Sequence, residues 1–228
     1  MRFLVISYGI EPLDFGVVGD SAPRAHRYRD RLMAEGTLLE HAHLAGQRGH
    51  AWVFEADSVD GLDRIVAADP MSRFCQNDPV VLPLTSYSRM AESEREVFGV
   101  AEADQMGAEE TERLGPNPGT GKQRFLVIAY RIPGVDPGAI GDAPSRAVRY
   151  REELMRKGKL SLHGHIAGQQ GHVWIYHVDS VDELDEVMSA DPMSGFYQNN
   201  PVIHAFCSYE RMHDREREFF PDAVAPDQ

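Results

Sequence analysis

The sequence LLEHAHLAGQRGHAWVFE occupies residues 38–55, and the related sequence LSLHGHIAGQQGHVWIYH occupies residues 160–177. Each has two runs of strand type around a Gly-x-x-Gly segment, which predicts a β-hairpin. The similarity extends without a gap over residues 2–98 and 124–220, at a constant offset of 122 residues. A unit this long is a domain, because solenoid repeats span roughly 20–50 residues. The chain therefore reads as two copies of one small domain.

The predicted layout has four parts: a first repeat at 1–98, a linker at 99–122, a second repeat at 123–220 and a tail at 221–228. Each repeat is long enough to bury a core of its own. The linker ends in GPNPGTGK, which is rich in turn-forming residues, and an acidic, helical stretch is expected before it, at 91–114. A site that a homodimer would build from two subunits can therefore be built within one chain.

Each repeat is predicted to have the element order βαββαβ. The first strand is the apolar run FLVISY at 3–8, repeated as FLVIAY at 125–130, and Ser58 and Ser180 are suited to begin the second helix. This order is the ferredoxin-like unit of the α+β class, in which two helices cover one face of an antiparallel sheet. The other face also needs a cover. We expect the second copy to provide it, forming an intramolecular pseudo-dimeric α+β barrel.

Composition excludes several classes of function. The net charge is −13, and no lysine or arginine block is present to bind the phosphates of a nucleic acid. Neither a membrane span nor a signal peptide is predicted, so the expected location is the cytoplasm. Cys75 and Cys207, the two cysteines, do not form a disulfide framework. The expected partner is a small-molecule substrate, and the pseudo-dimers could assemble into a homo-oligomer.

The stretch from Leu32 to Leu62 resembles muconolactone isomerase in its EGT helix exit, its LAG turn and its V-F-x-x-x-SV segment. The surroundings of Asp69-Pro70 are similar to the YCII-related family. Both families belong to the dimeric α+β barrel superfamily, so the resemblance implies that fold. The superfamily includes isomerases, dehydrochlorinases, cofactor-free monooxygenases, haem enzymes and cyclases. The position matching the glutamate of muconolactone isomerase is Arg27, or Arg149 in the second copy, so the same carboxylate chemistry is not implied.

The main chemical feature of the sequence is a set of histidines on the hairpin. Side chains alternate along a strand, so His41 and His43 share one face. If Ala45 pairs with His50, then Trp52 lies on that face too. The second copy repeats the pattern with His163, His165, His172 and Trp174. We expect this face to point into the barrel, away from the helices.

These histidines have three interpretations: hydrogen-bonded core residues, acid–base catalysts and metal ligands. An imidazole can take and return a proton near neutral pH, which favours catalysis by His41, His43, His50, His163, His165 and His172. Substrate contacts are expected from aromatic and arginine side chains, which could bind a flat ring and an anionic group. They are Tyr8, Arg27, Tyr28 and Trp52, with their counterparts Tyr130, Arg149, Tyr150 and Trp174.

The main functional prediction is an isomerase or lyase that moves protons on an aromatic-derived acid, lactone or quinol without a cofactor. One alternative is a metal-dependent oxygenase or hydrolase, because three histidines with open positions suit zinc or iron. The other is a non-catalytic protein that binds a small ligand. Asp69 and Asp191, each before a proline, are expected mainly to cap and turn the chain, although the YCII resemblance implies a histidine–aspartate pair.

Overall fold

The computed structural model describes residues 1–9, 18–47, 49–75, 78–85, 122–198 and 200–207. These residues belong to two compact units: residues 1–83 with Cys207, and Leu84–Phe206. The predicted helix at 91–114 and the tail after residue 220 lie outside the described residues. Among the helices that are described, none is both long enough and apolar enough to cross a membrane.

The first unit contains the predicted strands and helices. They are β1 (Arg2–Tyr8), α1 (Ser21–Ala34), β2 (Leu38–His43), β3 (Gly49–Glu55), α2 (Val59–Ala68) and β4 (Val80–Thr85). The strand order is β2-β3-β1-β4, and the pairs β1–β3 and β2–β3 are antiparallel. This is the sheet of a ferredoxin-like unit. The predicted α+β class is therefore confirmed.

The second unit repeats this arrangement. Its elements are β5 (Gln123–Tyr130), α3 (Pro137–Ile140), α4 (Ala143–Arg156), β6 (Leu160–Ile166), β7 (Gly171–Val178), α5 (Val181–Ser189) and β8 (Val202–Phe206), in the strand order β6-β7-β5-β8. The short α3 and a 3-10 helix at Ser194–Phe196 are additions to the predicted pattern among the described residues of this unit. Leu84 and Thr85, at the end of β4, belong to this unit and pair with Ile166 and His165.

Local signals in the sequence set the ends of the helices. The Oγ of Ser58 accepts a hydrogen bond from Gly61 N at 3.0 Å, and the Oγ of Ser180 accepts one from Glu183 N at 3.1 Å. Such caps satisfy backbone donors that have no partner within the helix. Gly36, just beyond the end of α1, has a φ of 73°, a conformation that side chains with a Cβ disfavour.

One face of each sheet is covered by the helices. In the first unit, Phe3, Val5 and Trp52 pack in the same cluster as Leu32 of α1 and Leu62 of α2. The equivalent cluster of the second unit contains Phe125, Val127 and Trp174 with Leu154 of α4 and Leu184 of α5. Trp52 and Trp174 therefore point towards the helices, which fixes the side on which the hairpin histidines lie.

Candidate metal centres

Three histidines from two neighbouring strands converge in each unit. His43 pairs with His50 and His41 pairs with Trp52 in the first unit; His165 with His172 and His163 with Trp174 in the second. The predicted register is wrong by two residues, because His50 pairs with His43 and not with Ala45, and Leu44 N donates to Gly49 O. A shift of two residues preserves the face, so the grouping of the histidines with the tryptophan is still correct.

The direction of the histidine face is the reverse of the expectation. His41, His43, His50 and Trp52 lie on the face that the helices cover. The opposite face of the hairpin carries Ala42, Leu44, Ala51 and Val53, which are all buried and face away from α1 and α2. Both faces are therefore buried, and alternation along a strand does not tell which of two buried faces meets the helices.

The ring nitrogens of each cluster are close enough to share one ion. One ligand atom from each of His41, His43 and His50 lies within 4.8 Å of the other two, and the same holds for His163, His165 and His172. In both clusters a contact of 3.1 Å joins the Nε2 of the first histidine to the Nδ1 of the third. Two nitrogens on a tetrahedral zinc ion lie about 3.3 Å apart, given Zn–N bonds of about 2.0–2.1 Å. The two facing nitrogens of each cluster, 3.1 Å apart, are already near that separation.

The tryptophan of each unit orients two of the imidazoles. The Trp52 ring is nearly parallel to those of His41 and His50, with interplanar angles of 8° and 6°. The Trp174 ring makes angles of 12° and 7° with His163 and His172. Stacking of this kind restrains ring rotation, so the two nitrogens are held facing each other.

An arginine–aspartate ion pair lies beside each cluster. Arg29 donates to Asp69 through Nε at 2.7 Å and Nη2 at 3.2 Å, and Arg151 does so to Asp191 at 2.7 and 3.1 Å. The guanidinium carbons lie 5.8 Å from the Trp52 ring centroid and 5.6 Å from that of Trp174. Arg151 is 1% exposed, so removing Asp191 would leave a buried cation, at a cost of about 3–5 kcal/mol.

Burial keeps two imidazoles of each cluster neutral. Desolvation, followed by the nearby Arg29 charge, lowers the pKa of His41 well below 6.5. Desolvation and then the His43 charge do the same to the pKa of His50. His163 and His172 show the same direction, again with burial as the largest cause of the lowered pKa. A neutral imidazole is the form that binds a metal ion.

The other predicted substrate contacts are not brought to the clusters. Arg27 and Arg149 are exposed on their helices. The hydroxyls of Tyr28 and Tyr150 donate to Ile65 O and Val187 O, both at 2.8 Å, and so join the two helices of each unit. Tyr8 and Tyr130 pair with Gly49 and Gly171, whose positions alternate with those of the histidines, so both tyrosines lie on the opposite face.

Three residues of this environment were not predicted from the sequence. Arg29 and Arg151 lie on the buried side of their helices, and the spacing of Ala25, Arg29 and Leu32 at i, i+4 and i+7 could have shown it. Tyr197 accepts a hydrogen bond from Arg151 Nη2 at 3.3 Å, and its ring meets that of His172 edge-on at 5.2 Å. No pattern in the sequence marks Tyr197, because its counterpart is Cys75.

Asp69 and Asp191 have the expected turn role and a further one. Asp69 Oδ1 accepts from Met71 N at 2.8 Å, and Asp191 Oδ1 accepts from Met193 N at 2.8 Å. Each carboxylate also forms the ion pair described above. The aspartates therefore connect the segment after the second helix to the first helix, and the arginine stands between them and the tryptophan.

Comparison with solved structures found proteins of similar fold. A mutant chlorite dismutase from Candidatus Nitrospira defluvii has a TM-score of 0.55 at 9% identity, covering 94% of both chains. A protein assigned as a chlorite dismutase has a TM-score of 0.54 at 10% identity, covering 91% of this chain and 95% of that one. A protein from Lactobacillus acidophilus assigned as a monooxygenase has a TM-score of 0.50 at 8% identity, covering 90% and 92%. No protein-family model and no curated protein matches the chain.

These comparisons correct the main functional prediction. The similar structures are named for redox reactions, as a chlorite dismutase and a monooxygenase, and not for isomerisation or elimination. The expectation of an isomerase or lyase is therefore wrong. The muconolactone isomerase and YCII resemblances reduce to a likeness of fold.

Proposed function

We propose that each three-histidine cluster binds one divalent transition-metal ion, iron or zinc, and that the chain loaded with iron, the redox-active ion of the two, is a metal-dependent oxidoreductase of the oxygenase type. The observation that carries this proposal is the convergence of three imidazole nitrogens within 4.8 Å, repeated in both units. Three histidines with open coordination positions are a known catalytic arrangement for zinc, and imidazole also suits iron. The names of the similar structures support the redox class.

The protein supplies a site that is prepared for a cation. The hydrogen bond between His41 Nε2 and His50 Nδ1 contains one proton, which an incoming ion displaces. Asp69 offsets the positive charge of Arg29, which would otherwise repel the ion across the tryptophan ring. When bound, the ion would supply Lewis acidity or oxygen activation at its open positions.

Haem, which some members of the dimeric α+β barrel superfamily use, does not fit these clusters. A porphyrin occupies four coplanar positions of its iron, so protein ligands are limited to the two opposite axial positions. Three imidazoles that converge from neighbouring strands approach one point from one side. The cluster geometry suits a mononuclear ion whose protein ligands are the three imidazoles.

The first prediction concerns metal content. The full chain, purified without an affinity tag or chelator, should retain close to two equivalents of iron or zinc, measured by elemental analysis. His43→Ala should reduce this to about one equivalent, and the double variant with His165→Ala should retain almost none, because each variant removes one of three ligands from a single cluster.

His204→Ala is the control, because His204 belongs to neither cluster. This variant should retain the wild-type amount of metal. Metal content that is zero after attempted reloading, or that does not change in the double variant, would overturn the proposal. The alternative of a non-catalytic small-ligand-binding protein would then be the one to pursue.

A further inference from the structure

A row of side chains on one face of the second unit crosses three adjacent strands. His172 of β7 pairs with His165 of β6, and His165 pairs in turn with Thr85 of β4. Directly opposed residues of antiparallel strands project from the same face of the sheet, with Cβ atoms about 4.5–5.5 Å apart. Thr85 therefore lies on the face of the histidine cluster, on the side of His165 that is away from His172.

Close packing of β4 against β6 keeps Thr85 beside this histidine. On the other face of the same two strands, a Cβ added to Gly164 would lie 3.3 Å from Leu84 Cβ. Leu84 and Thr85 come from the first repeat of the sequence but belong to the second compact unit. The strand next to the second cluster is therefore supplied by the other repeat.

The hydroxyl of Thr85 is buried without a hydrogen bond. Its Oγ1 has no hydrogen-bond partner within the described part of the chain. A buried polar atom left in this state is unfavourable, and such atoms in native proteins call for an explanation. A threonine hydroxyl can accept a hydrogen bond as well as donate one. Because His165 is the residue directly opposite, an imidazole N–H is a partner within reach.

The shape of an imidazole ring directs its second nitrogen towards Thr85. The ligand nitrogen of His165 lies within 4.8 Å of those of His163 and His172. The two nitrogens of the ring point away from each other, and β7 and β4 flank β6 on opposite sides. The nitrogen of His165 that is not used for an ion therefore faces the side of β4. Histidine ligands usually donate this second N–H to an outer partner, which fixes the tautomer and the ring orientation.

We propose that Thr85 is a positioning residue of the second metal centre. Its Oγ1 accepts a hydrogen bond from the ring N–H of His165 that is not used for the ion, and so holds the other nitrogen of the ring towards the ion. The threonine itself does not touch the ion. The inference rests on the proposed function, because it assigns an outer partner to one of the proposed ligands.

The two units differ at this position. The residue of the first unit that corresponds to Thr85 is Cys207, at the same offset of 122 residues. Its backbone N donates to His43 O at 2.9 Å, so it lies beside the matching histidine of the first cluster. A thiol is a weak donor and its sulfur a weak acceptor. The hydroxyl is therefore specific to the second centre, and Cys207 provides a matched control.

The second centre can be measured alone in the full-length His43→Ala protein, whose first cluster lacks a ligand. Zinc titration in competition with a chromophoric chelator gives its dissociation constant. Thr85→Val, which keeps the shape of the side chain without the hydroxyl, should weaken zinc binding about 10–100-fold, the usual loss when an outer partner of a metal ligand is removed. Thr85→Ser, which keeps the hydroxyl, should retain most of the affinity. Cys207→Val in the same background should leave the affinity unchanged.

Chemical denaturation in the presence of a chelator separates a positioning role from a structural one. With no ion bound, Thr85→Val should unfold at the same denaturant concentration as its parent or at a higher one, because no hydrogen bond of the hydroxyl is lost. Unchanged zinc affinity in Thr85→Val, or a weaker affinity accompanied by a lower unfolding midpoint in chelator, would overturn the inference and leave the metal centres standing. If the His43→Ala protein bound no zinc at all, the proposed function would fail and the inference with it.

Discussion

The immediate partners of each histidine distinguish a structural group from a proposed metal ligand. His177 shows the structural case. Its Nε2 lies 2.6 Å from the Ser161 Oγ, it is 5% exposed, and its hydrogen bond satisfies it within the second unit. The cluster histidines differ because their nitrogens face one another. The difference is one of partners rather than burial, since His41 and His163 are as deeply buried as His177.

At the residue scale, His177 should make the protein less stable in acid. Burial, together with the charge of Arg124, lowers its pKa from 6.5 to about 4. As the pH falls, His177 therefore takes up a proton at a higher pH in the unfolded chain than in the folded protein. This contribution to the free energy of unfolding is complete above pH 6.5 and is lost progressively as the pH falls towards 4. Its full size is roughly 3 kcal/mol.

The variant His177→Gln retains a hydrogen-bonding side chain of similar length but does not titrate. Chemical denaturation between pH 7 and pH 4 should show a shallower loss of stability in this variant than in the wild type. Identical slopes for the two proteins would contradict the assignment of the lowered pKa to His177.

At the scale of elements, close packing joins the hairpin to the strand beside it. Tyr130 of β5 lies over Gly171, at the start of β7. A Cβ added to Gly171 would lie 2.7 Å from Tyr130 Cδ1 and 3.0 Å from Ile166 Cδ1. The glycine is thus needed for close approach and not for a positive φ. The same arrangement recurs in the first unit, where Tyr8 lies over Gly49.

Gly171→Ala should therefore lower the free energy of unfolding by about 1–2 kcal/mol, because the ring of Tyr130 must move to admit the methyl group. Thermal or urea denaturation measures this change. Gly195→Ala is the control, since a Cβ there meets nothing within 4 Å and should leave stability within about 0.5 kcal/mol of the wild type. Equal stabilities for the two variants would show that the contact with Tyr130 is not tight.

At the level of the whole molecule, duplication gives one chain two clusters of three histidines in different surroundings. Each cluster has its own tryptophan, arginine and aspartate within its unit. The surroundings differ at one equivalent position, which is Cys75 in the first unit and Tyr197 in the second. The packing of the two units into a pseudo-dimeric barrel stays a proposal, as does any further assembly.

Metal binding should stabilise the chain one unit at a time. Free zinc at a hundred times its dissociation constant adds about 2.7 kcal/mol to the stability of a unit that binds it. Chelation should therefore lower the melting temperature of the wild type. In His43→Ala, the loss of stability on chelation should be confined to the one unit that still binds metal. In the double variant with His165→Ala, chelation should cause no loss of stability. Differential scanning calorimetry with and without chelator measures this, and a melting temperature that ignores chelator in the wild type would contradict it.

The duplication, the βαββαβ order, the α+β class and the grouping of three histidines with a tryptophan all follow from the amino-acid sequence. These features depend on local periodicity and on a constant offset between two copies, and both can be read along the chain. The two-residue register error did not matter to the grouping, because side chains alternate with a period of two.

Tertiary packing sets which face of the hairpin meets the helices, and with it the partners of the clusters. Both faces of β2 and β3 are buried, so hydrophobic alternation gives no direction. The contact of Trp52 with Arg29, and of Arg29 with Asp69, joins residues from three separate elements, and their spacing along the chain does not encode it. Thr85 likewise lies beside His165 only because β4 pairs with β6, two strands that are far apart in the sequence.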